Sequence, residues 1–148
     1  MKKNLIVLLL LGMFALETFA QQEFKIVTVV ESIVPMGLGR SRIIDSQTQS
    51  NYEEFTTERT DGKKSNQKEI SRSDIKVDEL EETKLLNFFS ATGINFQNIA
   101  SNDAVIASKV NSMVSDGWKL MFVTSGVESN AGVDDGQGIF ITRLFFSR

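Results

Sequence analysis

Between Ile106 and Phe122 the chain spells an amphipathic helix, a stop and a strand in direct succession. Ile106, Val110, Met113 and Val114 fall at i, i+4, i+7 and i+8, while Ser108, Asn111, Ser112 and Ser115 take the other side, the spacing that gives a helix one apolar stripe. Ser101 or Asn102 is placed to cap it, and Asp103 sets a negative charge at the positive end of the helix dipole. Gly117 suits the left-handed residue of a Schellman closure, which would bring Trp118, the only Trp, back over Met113. A helix is therefore predicted over 102–116. Residues 118–125 follow as a strand, with Trp118, Leu120 and Phe122 on one face and Met121 and Val123 on the other.

A helix with one apolar stripe needs a layer to lie on, and strands supply it. Residues 23–34 are rich in β-branched types and end at Pro35-Met36-Gly37-Leu38-Gly39, the pattern of a strand running into a turn. Phe24, Ile26 and Val30 share one of its faces and Val27 and Val29 the other, which fits an interior strand covered on both sides. Residues 40–45 read as a second, shorter strand. Residues 139–146 close the domain, with Phe140, Leu144 and Phe146 opposed to Ile139, Ile141 and Phe145, and Arg143 interrupting the second set. A Gly/Asn/Asp-rich loop from Gly126 to Gly138 joins this strand to 118–125, so the two are expected to pair antiparallel. The predicted fold is α+β: a small, mainly antiparallel sheet of about four strands with one main helix packed on one face.

One helix shelters one face. Val27, Val29, Met121, Val123, Ile139, Ile141 and Phe145 predict that the opposite face is apolar as well. Three covers are open to it: residues 85–99, a second copy in a homodimer, or a ligand, either a protein or a small molecule.

Residues 45–84 form a polar insertion that holds the chain's surplus of acids, with few apolar side chains (Tyr52, Phe55, Ile70, Ile75, Val77, Leu80). Asp61-Gly62 accepts the positive φ angles of a type I′ hairpin turn. Two readings stand open, a solvated hairpin or a disordered insertion. Residues 85–99 are dense in large apolar groups (Leu85, Leu86, Phe88, Phe89, Ile94, Phe96, Ile99) and are expected to pack on the sheet as an irregular segment or short helix.

The chain opens with Lys2 and Lys3, an apolar run from Leu5 to Leu16 broken by Gly12, and then Thr18-Phe19-Ala20 before Gln21. A basic start, a run too short to span a bilayer and a small-x-small end describe a secretory signal peptide cut between Ala20 and Gln21. Residues 1–20 are thus expected to be removed, leaving 21–148 as a single domain with no membrane span and a charge one unit more negative than the −3 of the full chain. No Cys follows the run, which excludes a lipoprotein anchor. Export without Cys points to a bacterial periplasmic or extracellular protein.

The last third of the chain carries a resemblance. Asn111-Ser112-Met113-Val114-Ser115-Asp116-Gly117-Trp118-Lys119-Leu120, then Val123, and the ending Gly138-Ile139-Phe140-Ile141-Thr142-Arg143 resemble a family of short bacterial domains of unknown function. These share a helix stopped at a Gly-Trp-acidic-Leu motif, a strand, a variable loop and a last aromatic strand ending in a basic residue. Lys119 stands where that family has an acidic residue. The resemblance implies a fold and no catalytic or binding residues.

Absences prune the chemistry. With no His and no Cys there is no imidazole base, thiolate nucleophile, structural zinc site or iron–sulfur cluster. The acidic balance offers nucleic acid no attraction, and no cofactor or catalytic residue is indicated. Gly37-Leu38-Gly39-Arg40-Ser41-Arg42 is spelled like an anion-binding nest, though it runs toward a strand rather than a helix. Asp134 and Asp135 offer hard oxygen ligands for Ca²⁺ without the spacing of an EF-hand. Ser65-Asn66-Gln67-Lys68 matches the Ser-x-x-Lys spelling of acylating enzymes but lacks their companion motifs. The candidate binding residues are Arg40, Arg42, Arg143, Met121 and Val123. The function expected is a non-enzymatic binding or assembly module using an apolar sheet face. A carboxylate-dependent hydrolase and a weak calcium-binding accessory domain are the alternatives.

Overall fold

The computed structural model describes residues 22–33, 40–90, 92–127 and 138–148. The expected leader at 1–20, the expected turn at 35–39 and Asp134 and Asp135 lie outside them. In chain order the elements are β1 (Phe24–Ser32), β2 (Arg42–Ser46), β3 (Arg59–Thr60), β4 (Lys64–Ser65), β5 (Leu80–Lys84), β6 (Phe89–Ser90), β7 (Gly93–Ile94), the helix α1 (Phe96–Ser115), β8 (Lys119–Val127) and β9 (Ile139–Ser147). Short 3-10 turns at Tyr52–Phe55 and Gln67–Glu69 and one helical turn at Arg72–Ile75 punctuate the insertion.

The fold is α+β. Its sheet has five strands in the order β5-β2-β1-β9-β8, each pair antiparallel, one strand more than the sequence announces. The additional strand is β5, Leu-Glu-Glu-Thr-Lys, exposed along its whole length. It escapes a reading by hydrophobic alternation because its backbone ladder with β2 holds it and an edge strand tolerates charge on both faces. Within the insertion the hairpin β3–β4 does form: Asp61 and Gly62 take φ of 54° and 62°, and the Lys63 N–H closes on the Thr60 carbonyl at 3.1 Å, as a type I′ turn requires.

Pairing fixes which side chains share a face. Val27 stands opposite Asp45 and Leu144, and Val29 opposite Ile43 and Thr142. Every buried apolar strand residue described (Val27, Val29, Ile43, Leu144, Phe146) lies on this side, with Met113, Trp118 and Leu85 closing the core over them and Ile106 and Val110 packed against it. Phe146 is wholly buried, a contribution of about 2–3 kcal/mol. Ile106, Val110 and Met113 thus meet the sheet as their spacing predicts, whereas Val114, assigned to the same stripe, is 53% exposed.

Two expectations about α1 need correction. It starts at Phe96, with the Asn95 side chain accepting from the Asn98 N–H at 3.1 Å, and not near Ser101 or Asn102. Phe96 is exposed, while Ile99, seven residues before Ile106, is half-buried, so the stripe begins before Ile106. Asn102 is buried in the helix interior and spends its amide on tertiary partners.

The helix end follows the expectation. The Gly117 N–H bonds the Val114 carbonyl (3.1 Å) and the Trp118 N–H that of Met113 (3.0 Å), with Gly117 at φ 87°, the pair of bonds that defines a Schellman closure. No atom lies within 4 Å of where a Cβ would stand on Gly117, so a side chain there meets only backbone strain. Gly117→Ala is expected to destabilise the fold by about 1–2 kcal/mol, read as a lower urea midpoint at unchanged slope.

Candidate functional site

The face of the sheet turned away from α1 is where the apolar side chains go unsheltered. Across β1, β9 and β8, Ile26 stands opposite Phe145 and Phe145 opposite Phe122. Phe122 and Phe145 lie flat on each other, centroids 4.2 Å apart and planes 11° from parallel. Phe24 is 65% exposed, Ile26 46% and Phe122 55%. A second apolar row joins Val30 to Ile141, and Ile139 follows beyond it. Between the rows runs a polar one: Thr28, Arg143 and Thr124 are consecutive partners, with Arg143 exposed at the centre. Thus an aromatic and aliphatic surface surrounds one guanidinium that has no carboxylate partner among the described residues.

The membership of this face differs from the sequence reading in two ways. Val27 and Val29 belong to the helix side, because β1 registers them against Leu144 and Thr142. A bulge between Leu120 and Phe122 leaves Met121 unpaired and reverses the alternation of β8, so Val123 joins Leu120 on the helix side and Phe122 crosses to the open face. Nothing in the residue types of β8 marks the bulge. The strand also extends through Gly126 to Val127, past the expected start of the loop. Ile139, Ile141, Arg143 and Phe145 stand where the alternation of β9 sets them.

Residues 85–99 do not cover the open face. Leu85 enters the core, Phe88 packs on Phe140 with centroids 5.9 Å apart, and β6 and β7 make a small hairpin before α1. A polar clamp holds this stretch to the helix side. Asn102 accepts the Leu86 N–H (2.8 Å) and donates to the Leu86 carbonyl (2.8 Å) and to Glu31 Oε1 (3.0 Å). Asn98 donates to the Asn87 carbonyl (2.8 Å), and the Ser41 hydroxyl links Asn87 Oδ1 (2.9 Å) to the Ser32 N–H (2.9 Å).

Beneath the helix, buried Asp45 receives Lys25 at 2.9 Å and Lys109 at 2.7 Å, from β1 and α1. Burial acts to raise the Asp45 carboxyl, but hydrogen bonds and charge from the two lysines hold it below its ordinary value. Glu31 goes the other way. Burial pushes it up, the Asn102 bond opposes, and the charge of Asp103 adds to the rise.

The other candidates scatter. Arg42 pairs with Glu82 at 2.6 Å across β2 and β5, and Arg40 is exposed at the start of the described segment. Ser65 lies in β4 and Lys68 in the 3-10 turn that follows. Glu54, Asp74, Asp78 and Glu79 line an open hollow of about 570 Å³ with Lys76 and Phe55. Among the described residues, no three Asp or Glu side chains gather as a metal site, and no helix is long and apolar enough to cross a membrane. Comparison of the chain with protein-family models, with curated proteins and with solved structures finds no match.

The two perturbed carboxyls act oppositely on stability. Asp45, depressed in the fold, stabilises fully above its ordinary value and loses that contribution as pH falls below it toward the folded value. Glu31, raised in the fold, destabilises at neutral pH and is relieved as pH falls through its raised value. Asp45→Asn is expected to cost about 2 kcal/mol at neutral pH and to flatten the acid limb. Glu31→Gln keeps an acceptor for Asn102 and is expected to raise neutral-pH stability. Urea unfolding from about pH 3 to pH 7 measures both.

Proposed function

We propose that this chain is an exported protein of the bacterial envelope that acts without catalysis, as a binding or assembly module, through the open face of its sheet. The observation that carries the reading is the row Ile26–Phe145–Phe122 on the side that α1 leaves uncovered, exposed at Ile26 and Phe122 and half-buried at Phe145 between them. Contiguous apolar surface of this kind marks interaction sites. Arg143 adds the polar requirement: a partner that removes water from this face must leave the guanidinium a hydrogen-bonded anion or bear the cost of burying it alone. The fitting partner is therefore an apolar body, protein or small molecule, with a carboxylate or other anion opposite Arg143.

Export is supported by Lys2, Lys3, the interrupted apolar run and the Thr18-Phe19-Ala20 end. Expressed in a bacterium with its leader, the chain is expected in the periplasmic or extracellular fraction with Gln21 as its first residue, which intact-mass measurement reads directly.

Against this stands the hydrolase reading, favoured by the four carboxylates around the 570 Å³ hollow. All four side chains are exposed, and nothing there excludes the water that acid–base pairs in clefts are shielded from.

Anilinonaphthalene sulfonate unites an aromatic body with an anion and so probes the open face. The folded mature chain is expected to bind it saturably. Ile26→Ser with Phe122→Ser, and separately Arg143→Gln, should each weaken binding at least about fivefold at unchanged circular dichroism, as a loss of about 1 kcal/mol implies. Saturable binding that ignores all three substitutions would remove the open face as the site.

A further inference from the structure

The two edges of the large sheet are built differently. At one edge, β5 has Glu81, Glu82 and Lys84 among its five residues, the charge with which natural sheets keep their edges from pairing. At the other, β8 is nine residues long, exposed throughout, and carries Lys119 at its first position as its one charge. It has no proline, and its bulge lies near its start, leaving 122–127 in regular register with β9. Leu120, Met121, Phe122, Val123 and Val127 are 36–58% exposed. Because successive residues of a strand face opposite sides, Phe122 and Val123 put apolar groups on both faces of this edge. Among the described residues no strand pairs with its outer side.

We infer that β8 pairs antiparallel with β8 of a second copy, joining two sheets into one across a two-fold axis. Residues directly opposite in an antiparallel ladder project to the same side, so a symmetric pair must match face to face. An axis at Ser125 does so. Val123 and Val127 both lie on the helix side, through their partners Leu144 and Phe140, and each meets the other across the axis. Thr124 and Gly126, both on the open side through Arg143 and Ile141, do likewise. Lys119 falls outside the overlap, so no like charges meet. The same operation on β5 about its centre sets Glu82 against a second Glu82. Stacking two open faces would instead bury Arg143 without a carboxylate.

A specific interface of standard size takes about 800 Å² from each partner. The overlap about Ser125 spans only residues 123–127, a contact smaller than that, which fits a dimer that dissociates on dilution rather than an obligate one. The inference concerns the edge of the sheet and does not depend on what the open face binds.

Sedimentation velocity of the mature chain from about 1 to about 200 µM reads the association. A dimer that dissociates on dilution is expected. Val123→Lys should weaken it at least about tenfold while melting and circular dichroism stay unchanged, since the position is exposed. The chain has no Cys, so Ser125→Cys is expected to give a disulfide-linked dimer under mild oxidation, and Thr83→Cys on the β5 edge is not. A monomer throughout the range, association indifferent to Val123→Lys, or equal cross-linking at 83 and 125 overturns the inference. If Ile26→Ser abolishes association and Val123→Lys does not, the copies meet through the open face. That outcome removes the edge pairing and leaves the proposed binding surface standing.

Discussion

One buried amide organises the distribution of apolar surface in this protein. Asn102 satisfies both backbone groups of Leu86 and reaches Glu31 from inside the helix. A side chain buried this deeply must find partners for its donors and acceptor, and an unmet one costs about 1–3 kcal/mol. By binding Leu86 it fixes residues 85–88 to the same side of the sheet as α1. The apolar groups of that stretch, Leu85 and Phe88, are then spent on the core and on Phe140. Nothing from it remains for the reverse of the sheet, and the exposure of Ile26, Phe122 and their neighbours follows.

Elements specified by local chemistry were legible in the sequence. The stop at Gly117 depends on hydrogen bonds within a few residues and on a φ that glycine adopts freely, and the turn at Asp61-Gly62 depends on the same freedom. Strands β1 and β9 announce themselves by β-branched and aromatic content, and the lone cation of β9, Arg143, stands out against it. What could not be read depends on distant partners. Asn102 looks like a cap because asparagine is a good one, while its actual partner lies sixteen residues away. Leu80–Lys84 looks like solvated charge because a backbone ladder has no sequence pattern of its own. The bulge at Met121 is invisible to alternation and moves Phe122 and Val123 to opposite faces from those expected. The candidate site was therefore legible as a surplus of apolar strand surface, and illegible in its membership.

The charges follow the same division of labour. Asp45 sits under the helix with a lysine from β1 and another from α1, so the sheet and the helix are joined by an ion pair where the apolar core gives out toward solvent. Arg42 and Glu82 join β2 to β5 at the sheet's charged edge. Neither arrangement draws on Arg143, which leaves the open face with a cation that has no carboxylate partner among the described residues.

The residues flanking β1 and β9 close on each other. Glu23 and Arg148 exchange both backbone hydrogen bonds at 3.0 Å, the Arg148 guanidinium grips the Glu23 carboxylate, and it lies 4.5 Å from the centre of the Trp118 ring. Trp118 is also the residue on which the helix closure lands and a member of the core. The protein thereby holds its one tryptophan at the meeting point of its helix, the start of β1 and the end of β9. Fraying of the terminal strands and melting of the helix cap would thus register in one and the same emission signal.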